Sequence, residues 1–231
     1  MQHAPTPGDR LAMVRSRIER ACSRAGRDPS GVTLVAVSKT HPAPAVAALA
    51  AAGQRLFGES YVQEALPKMD ALAALGLGWH FIGRLQKNKA KSVAGRFGLI
   101  HALDSLELAH MLHKKSTERG LVQPVLLQVN LACEDQKAGC SLEQALPLAQ
   151  AVAGMTGLRL EGLMLMPPWN EDPEVNRPLF ARTRRLRDDL AHRLGLALPH
   201  LSMGMSHDLE QAVEEGASLV RVGTDLFGPR E

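Results

Sequence analysis

Short apolar runs alternate along the chain with segments whose apolar positions recur every three or four residues. The first helical segment, Asp9 to about Arg24, carries Leu11, Val14, Ile18 and Ala21 on one face and arginines on the other, which predicts an amphipathic opening helix. Strands are predicted over 32–38, 55–57, 79–82, 98–102, 124–130, 159–164, 198–202 and 219–222. Helices are predicted between them, over 43–52, 61–74, 87–94, 106–118, 142–153, 174–194 and 209–215. Eight strand candidates, each but the last followed by a helical pattern, imply a parallel sheet, and that number suggests closure into a barrel. An open doubly wound sheet would usually carry G-x-G-x-x-G after its first strand, where this chain has Ser38-Lys39-Thr40-His41-Pro42. No low-complexity linker marks a boundary, so residues 1–231 read as one α/β domain.

Composition narrows the function. At 231 residues and 45% hydrophobic, the chain is long enough for one sizeable core. A net charge of +3 from nearly balanced charges, with 3% aromatics, gives no case for a nucleic-acid or membrane surface. Cys22, Cys133 and Cys140 are odd in number and form no Cys-x-x-Cys pair, which argues against a disulfide framework or structural zinc and fits a reducing cytoplasm. The opening residues lack a signal-type apolar core, and no apolar run is long enough to cross a bilayer.

In such barrels active sites gather at the carboxyl ends of the strands, and Lys39 ends the first one. The loops after the last two strands usually bind phosphate. Here they are Ser202-Met203-Gly204-Met205-Ser206 and Arg221-Val222-Gly223-Thr224, whose small residues and hydroxyls suit an anion. Ser206 could equally cap the next helix. A lysine and an anion site on one rim suggest a phosphorylated carbonyl compound held as a Schiff base, and pyridoxal phosphate and aldolase-type sugar phosphates both satisfy that description.

The blocks VAVSKTHP, FGESYVQEALPK, WHFIGRLQKNKAK, HALDS, VLLQVNLACEDQKAG, LEGLMLMPP and LSMGMSHDLEQAVEEGASLVRVGTDLFG follow one another from about Val32 to Gly228. As a set they resemble the YggS/PROSC pyridoxal phosphate homeostasis proteins, cytosolic single barrels similar to the N-terminal domain of alanine racemase. The resemblance implies a (β/α)8 TIM-type barrel with an additional N-terminal helix and no C-terminal β domain. It implies pyridoxal 5′-phosphate as cofactor, bound as a covalent aldimine to Lys39. Ser206, Gly223 and Thr224 fall at the phosphate positions and Arg221 at the one facing the pyridine nitrogen. Met205, His80 and Ser60 complete the expected cofactor-binding set. The implied function is intracellular cofactor homeostasis, holding the aldehyde without catalytic turnover in a cytoplasmic monomer, with apo forms of pyridoxal phosphate-dependent enzymes as candidate partners. The alternative is an amino-acid racemase of low activity; a Schiff-base aldolase fits the Arg221 and Ser206 blocks poorly.

Ser60 stands where the family usually has Asn and cannot offer an amide at the same reach, and Lys87 adds a cation beside Arg84, Lys89 and Lys91. Arg221 only donates and stays charged, so opposite the ring nitrogen it favours unprotonated pyridine and a weaker electron sink. Racemases of this barrel type add a tyrosine acid/base from a second domain, whereas the sole tyrosine here is Tyr61, expected as packing at a helix start. His80 either contacts the cofactor's surroundings or packs within a hydrogen-bonded core. Ser206-His207-Asp208 spells a triad, but consecutive residues point apart. His110 and His113 lack a third metal ligand nearby, the arginines over 182–187 read as an ion-paired helix surface, and Lys137 reads as a surface lysine or a second amine for cofactor exchange.

Overall fold

The computed structural model describes residues 4–132 and 138–228. Eight parallel strands close into a barrel in chain order: β1 (Thr33–Val37), β2 (Leu56–Glu59), β3 (Gly78–Phe81), β4 (Leu99–Leu103), β5 (Gln123–Val129), β6 (Leu158–Leu165), β7 (His200–Ser202) and β8 (Leu219–Val222). Around it lie α1 (Pro7–Arg24), α2 (Ala43–Ala51), α3 (Val62–Ala71), α4 (Ala90–Val93), α5 (Leu106–Thr117), α6 (Leu142–Ala153), α7 (Arg177–Leu194), α8 (Leu209–Glu214) and α9 (Thr224–Phe227). This is the single (β/α)8 barrel with an extra N-terminal helix expected from the sequence.

Two apolar clusters hold it. The larger lies between helices and strands and includes Phe57, Phe81, Leu112, Val152, Phe180 and Leu201. The smaller, Val35, Leu99, Leu126, Met164 and Leu219, comes entirely from strands and fills the barrel lumen. Helix α1 begins in a reciprocal Thr6–Asp9 capping box and buries Leu11, Val14, Ile18, Ala21 and Cys22, so its apolar stripe docks as the pattern predicts.

Where the structure departs from the sequence pattern, tertiary contacts decide. Strand β2 continues through Gly58 and Glu59 because β3 supplies the ladder, pairing Gly58 with His80 and Glu59 with Phe81. The helix expected over 61–74 stops at Ala71 and gives way to a 3-10 turn over Ala73–Leu75. That over 87–94 is a 3-10 turn, Lys87–Lys89, leading into the short α4. Strand β8 is followed by one more helical turn, α9, too short to show a periodicity.

Gly162 on β6 sits beside the register shift of the β5–β6 pair, at φ 147°, and a Cβ there would lie 1.9 Å from the His200 carbonyl oxygen. Gly162→Ala therefore forces β7 away from β6. It should cost at least about 2 kcal/mol, read as a lower urea midpoint; an unchanged midpoint contradicts this view of the barrel seam.

Candidate functional site

Lys39 lies two residues beyond Val37, the last of β1, and the turn around it is gripped from behind. Ser38, fully buried, donates its hydroxyl to Glu59 Oε1 at 2.6 Å. Lys68, from α3, donates to the same oxygen at 2.6 Å and to the Ser38 carbonyl at 2.8 Å. Glu59 is fully buried as well, and its Oε2 has no hydrogen-bond partner among the described residues. On the other side, Thr40 takes φ 67° and donates its N–H to Glu64 Oε2 at 3.0 Å. That backbone region is rarely occupied by a β-branched residue, so the turn is held by its neighbours rather than by its own preference.

Lys39 is half-buried and opens onto a cleft of about 1290 Å³, lined also by Ser60, Tyr61, Arg84, Asp104, Gln128 and Met166. Burial raises the Asp104 carboxyl above its ordinary value, opposed by its contact with Ser105 and by the Arg84 charge. Tyr61 is not packed at a helix start as expected: it stands 52% exposed on the cleft wall, because α3 begins one residue later and leaves it as the cap.

The β7 and β8 loops flank Lys39 on the opposite side. The β1–β8 register sets Val35 beside Arg221 and Ala36 beside Val222, and a Cβ on Gly223 would lie 3.4 Å from the Val37 carbonyl oxygen. Gly204 holds φ 91°, and a Cβ there would approach Ala212 to 2.6 Å, so glycine lets the loop lie flat on α8. Ser206 does not cap α8; Asp208 occupies the cap position, without a side-chain cap bond. The Asp208 carboxylate instead accepts the Met205 N–H at 2.7 Å and Asn176 Nδ2 at 3.0 Å, folding the loop so that this negative charge turns inward. Ser206 is half-buried and Thr224 exposed.

Between the two sides lies Arg221, 4% exposed. Its Nη1 donates to Ser202 Oγ at 2.6 Å and its Nη2 to the Leu165 carbonyl at 3.0 Å. It makes no ion pair among the described residues, and burial brings its pKa down to about 10, with Asp208 a weaker opposing influence. Ser202 Oγ lies 2.8 Å from His101 Nδ1, and His101 Nε2 lies 3.0 Å from His80 Nδ1. The chain is satisfied end to end when the Ser202 hydroxyl donates to His101 Nδ1 and His101 Nε2–H donates to His80 Nδ1, both rings remaining neutral. Burial, reinforced by His200, holds His80 at about 4; burial, then His80 and Arg221, hold His101 well below the ordinary histidine range. His80, half-buried, is the end of this hydrogen-bonded network furthest from Arg221.

Of the other sequence candidates, His207 stacks on Trp169 while Asp208 bonds Asn176, so no triad forms. His113 accepts the Gly157 N–H at 3.1 Å. Lys87 is 60% exposed and 3.6 Å from Glu107, at the cleft mouth. Lys137 and Cys133 lie outside the described residues. Sequence reasoning missed Glu59, Lys68, Ser202 and His101; for Glu59, Ser202 and His101 the signal available was a polar residue inside an apolar strand, whereas Lys68, on α3, gave none.

The chain matches the family described as the alanine racemase N-terminal domain over residues 10–231. It is 45% identical over 223 residues to the pyridoxal phosphate homeostasis protein of Aquifex aeolicus, covering 96% of this chain and 98% of that one. Its identity to the protein of the same name from Pseudomonas aeruginosa is 46% over 226 residues, covering 98% and 96%. The chain belongs to the pyridoxal phosphate homeostasis protein family. PipY of Synechococcus elongatus, solved with pyridoxal phosphate bound, superposes with a TM-score of 0.82 at 39% identity, covering 92% of this chain and all (100%) of PipY. Alanine racemase from Corynebacterium glutamicum shares the fold at a TM-score of 0.66 and 18% identity, with this chain covering 62% of it.

The neutral histidines make a pH prediction. Because the unfolded chain takes up a proton near pH 6.5 and folded His80 only near 4, the stability this burial permits is complete above about pH 6.5 and falls as the pH drops toward 4. His80 alone should remove about 2 kcal/mol between roughly pH 6.5 and pH 5. In urea titrations His80→Gln, which keeps an acceptor for His101, should flatten that decline; an unaltered pH slope contradicts the assignment.

Proposed function

We propose that this protein binds pyridoxal 5′-phosphate and serves its homeostasis, holding the aldehyde covalently through Lys39 without turning over a substrate. The observation that carries this reading is a buried guanidinium, without an ion pair among the described residues, inside the barrel whose rim carries Lys39. Burying an uncompensated cation is expensive, and a heteroaromatic nitrogen above Arg221 would accept from it and lessen that cost. The residues fit the cofactor: an amine at a strand end, an acceptor-seeking Arg221, and two small-residue loops able to approach a phosphate. That the PipY structure holds pyridoxal phosphate, and that the curated relatives are named for its homeostasis, supports the same reading.

Each residue then has a role. Pyridoxal phosphate, when bound, supplies a reactive aldehyde on an electron-accepting ring. Lys39 provides the amine that holds the aldehyde, aimed by the Ser38–Glu59–Lys68 brace behind it. Ser206 and Thr224 offer hydroxyl donors to the phosphate, with Gly223 contributing backbone, while Met205, whose N–H is held by Asp208, shapes the loop between them. Arg221 orients the ring and, being only a donor, keeps its nitrogen unprotonated. His80 acts at one remove, through His101 and Ser202. Ser60 stands on the cleft wall, where its short side chain limits it to shaping the mouth.

Absence of turnover is supported by two features. Arg221, placed as proposed, would hold the ring in its weaker electron-accepting state, and the cleft offers only the exposed Tyr61 as a tyrosine acid. Cytosolic residence accords with the buried free thiols Cys22 and Cys140, and no helix among the described residues is long and apolar enough to cross a membrane. A monomer delivering cofactor to apo-enzymes completes the proposal.

Borohydride reduction of the loaded protein should fix the cofactor on the peptide containing Lys39. Lys39→Ala should abolish both that label and the visible absorbance while folding normally; label retained on the rim in this variant overturns the assignment. In Ser206→Ala/Thr224→Val, loss of two charge-assisted donors should weaken equilibrium binding by at least about tenfold, whereas binding within about twofold of wild type removes those residues from the phosphate site. Across L- and D-amino acids in deuterated buffer, Cα exchange should not exceed that of free pyridoxal phosphate. Exchange at about 1 s⁻¹ or faster with any of them would establish the racemase instead.

A further inference from the structure

We propose that Arg17, on the opening helix α1, ties the β7 and β8 loops into one anion cup and thereby selects the phosphorylated aldehyde over its unphosphorylated form. The inference rests on the reading of Ser206, Gly223 and Thr224 as the phosphate-binding set and adds to it a residue from outside the barrel.

Arg17 lies beside the apolar stripe of α1, not on its solvent face, and its side chain is 23% exposed. Its Nη2 donates to the Ser206 carbonyl at 2.8 Å, while Nε and Nη2 grip Glu210 at 2.6 and 2.7 Å. Nη1 pairs with Asp225, the residue after Thr224. One planar side chain thus contacts the loop after β7, the first turn of α8 and the first turn of α9. A lysine could not, since a single ammonium lacks the fork.

Two consequences bear on an anion. Glu210 and Asp225 are carboxylates close in sequence to Ser206 and Thr224, and left bare they would oppose a dianion through like-charge repulsion. Arg17 pairs with both and offsets one of their two negative charges. It also fixes the spacing of the two loops before any ligand arrives, which lowers the ordering cost of binding. The helix does not depend on Arg17 for docking. Arg24 pairs with Glu214 at 2.6 Å, Arg27 donates to the Ala217 carbonyl at 2.8 Å, and the apolar stripe remains.

The test is equilibrium titration of the full chain with pyridoxal phosphate and with pyridoxal, which carries the same aldehyde without the phosphate. The tendency of free pyridoxal to close into a hemiacetal is common to all variants and cancels in the comparison. In Arg17→Met, affinity for pyridoxal phosphate should fall about tenfold or more while that for pyridoxal stays within about twofold. Arg17→Lys, restoring charge without the fork, should lie between. A Met variant that keeps the wild-type ratio of the two affinities, whether both are unchanged or both fall together, overturns the proposal, because general damage to the barrel spares neither ligand. A wild type that binds both aldehydes equally refutes the phosphate assignment itself, and one that binds neither at Lys39 refutes the cofactor reading; either takes this inference with it.

Discussion

A guanidinium buried inside a barrel, with no carboxylate paired to it among the described residues, is the constraint on which the site's architecture turns. Arg221 shares the β8 face of Leu219, whose side chain belongs to the dry lumen cluster. Desolvating such a charge costs several kcal/mol, and the structure answers with acceptors rather than a counter-ion: Ser202 Oγ and the Leu165 carbonyl. Those acceptors must themselves be satisfied, so the demand passes inward to His101 and His80, which stay neutral because a second buried cation beside Arg221 would be prohibitive. The polar network inside the barrel is consequently directional, running from Arg221 through Ser202 to the two histidines.

The rim is organised differently, by contacts that hold the backbone on either side of Lys39 in place. A buried ion pair contributes little net stability, since attraction is largely spent on desolvation. Glu59–Lys68 is therefore better understood through what it holds: both partners converge on Ser38, one residue before Lys39, and Glu64 secures the strained Thr40 after it. Fixing the backbone on both sides leaves the lysine side chain to reach the cleft. The β7–β8 side gains its rigidity from glycine-permitted close packing and from Arg17, so the two halves of the rim are braced by α3 and α1 respectively.

The fold was legible because its information is periodic. The apolar runs marked every strand, and α6 was expected over the same residues it occupies, with Ser141 and Gln144 forming its capping box. What escaped was information carried by partners distant in sequence. Glu59 looks like a turn residue until β3 pairs with it and Lys68 neutralises it. Ser202 and His101 look like ordinary strand residues, since nothing local says that their side chains meet across the lumen. Arg17 is indistinguishable from its solvent-facing neighbours Arg15 and Arg20 until α8 and α9 dock on it. The rim lysine and the small-residue loops were legible for a different reason: strand ends and loop composition report the position of a barrel's site directly.

The proposed placement of Arg221 against the ring nitrogen would keep the cofactor ring in its unprotonated form, suited to holding an aldehyde rather than to stabilising a carbanion. Nitrogen-15 NMR of the protein loaded with pyridoxal phosphate labelled at the ring nitrogen measures this without reference to any activity. The account predicts the resonance of an unprotonated pyridine that does not move across the neutral pH range. A pyridinium resonance, or a titration between the two within that range, would contradict it.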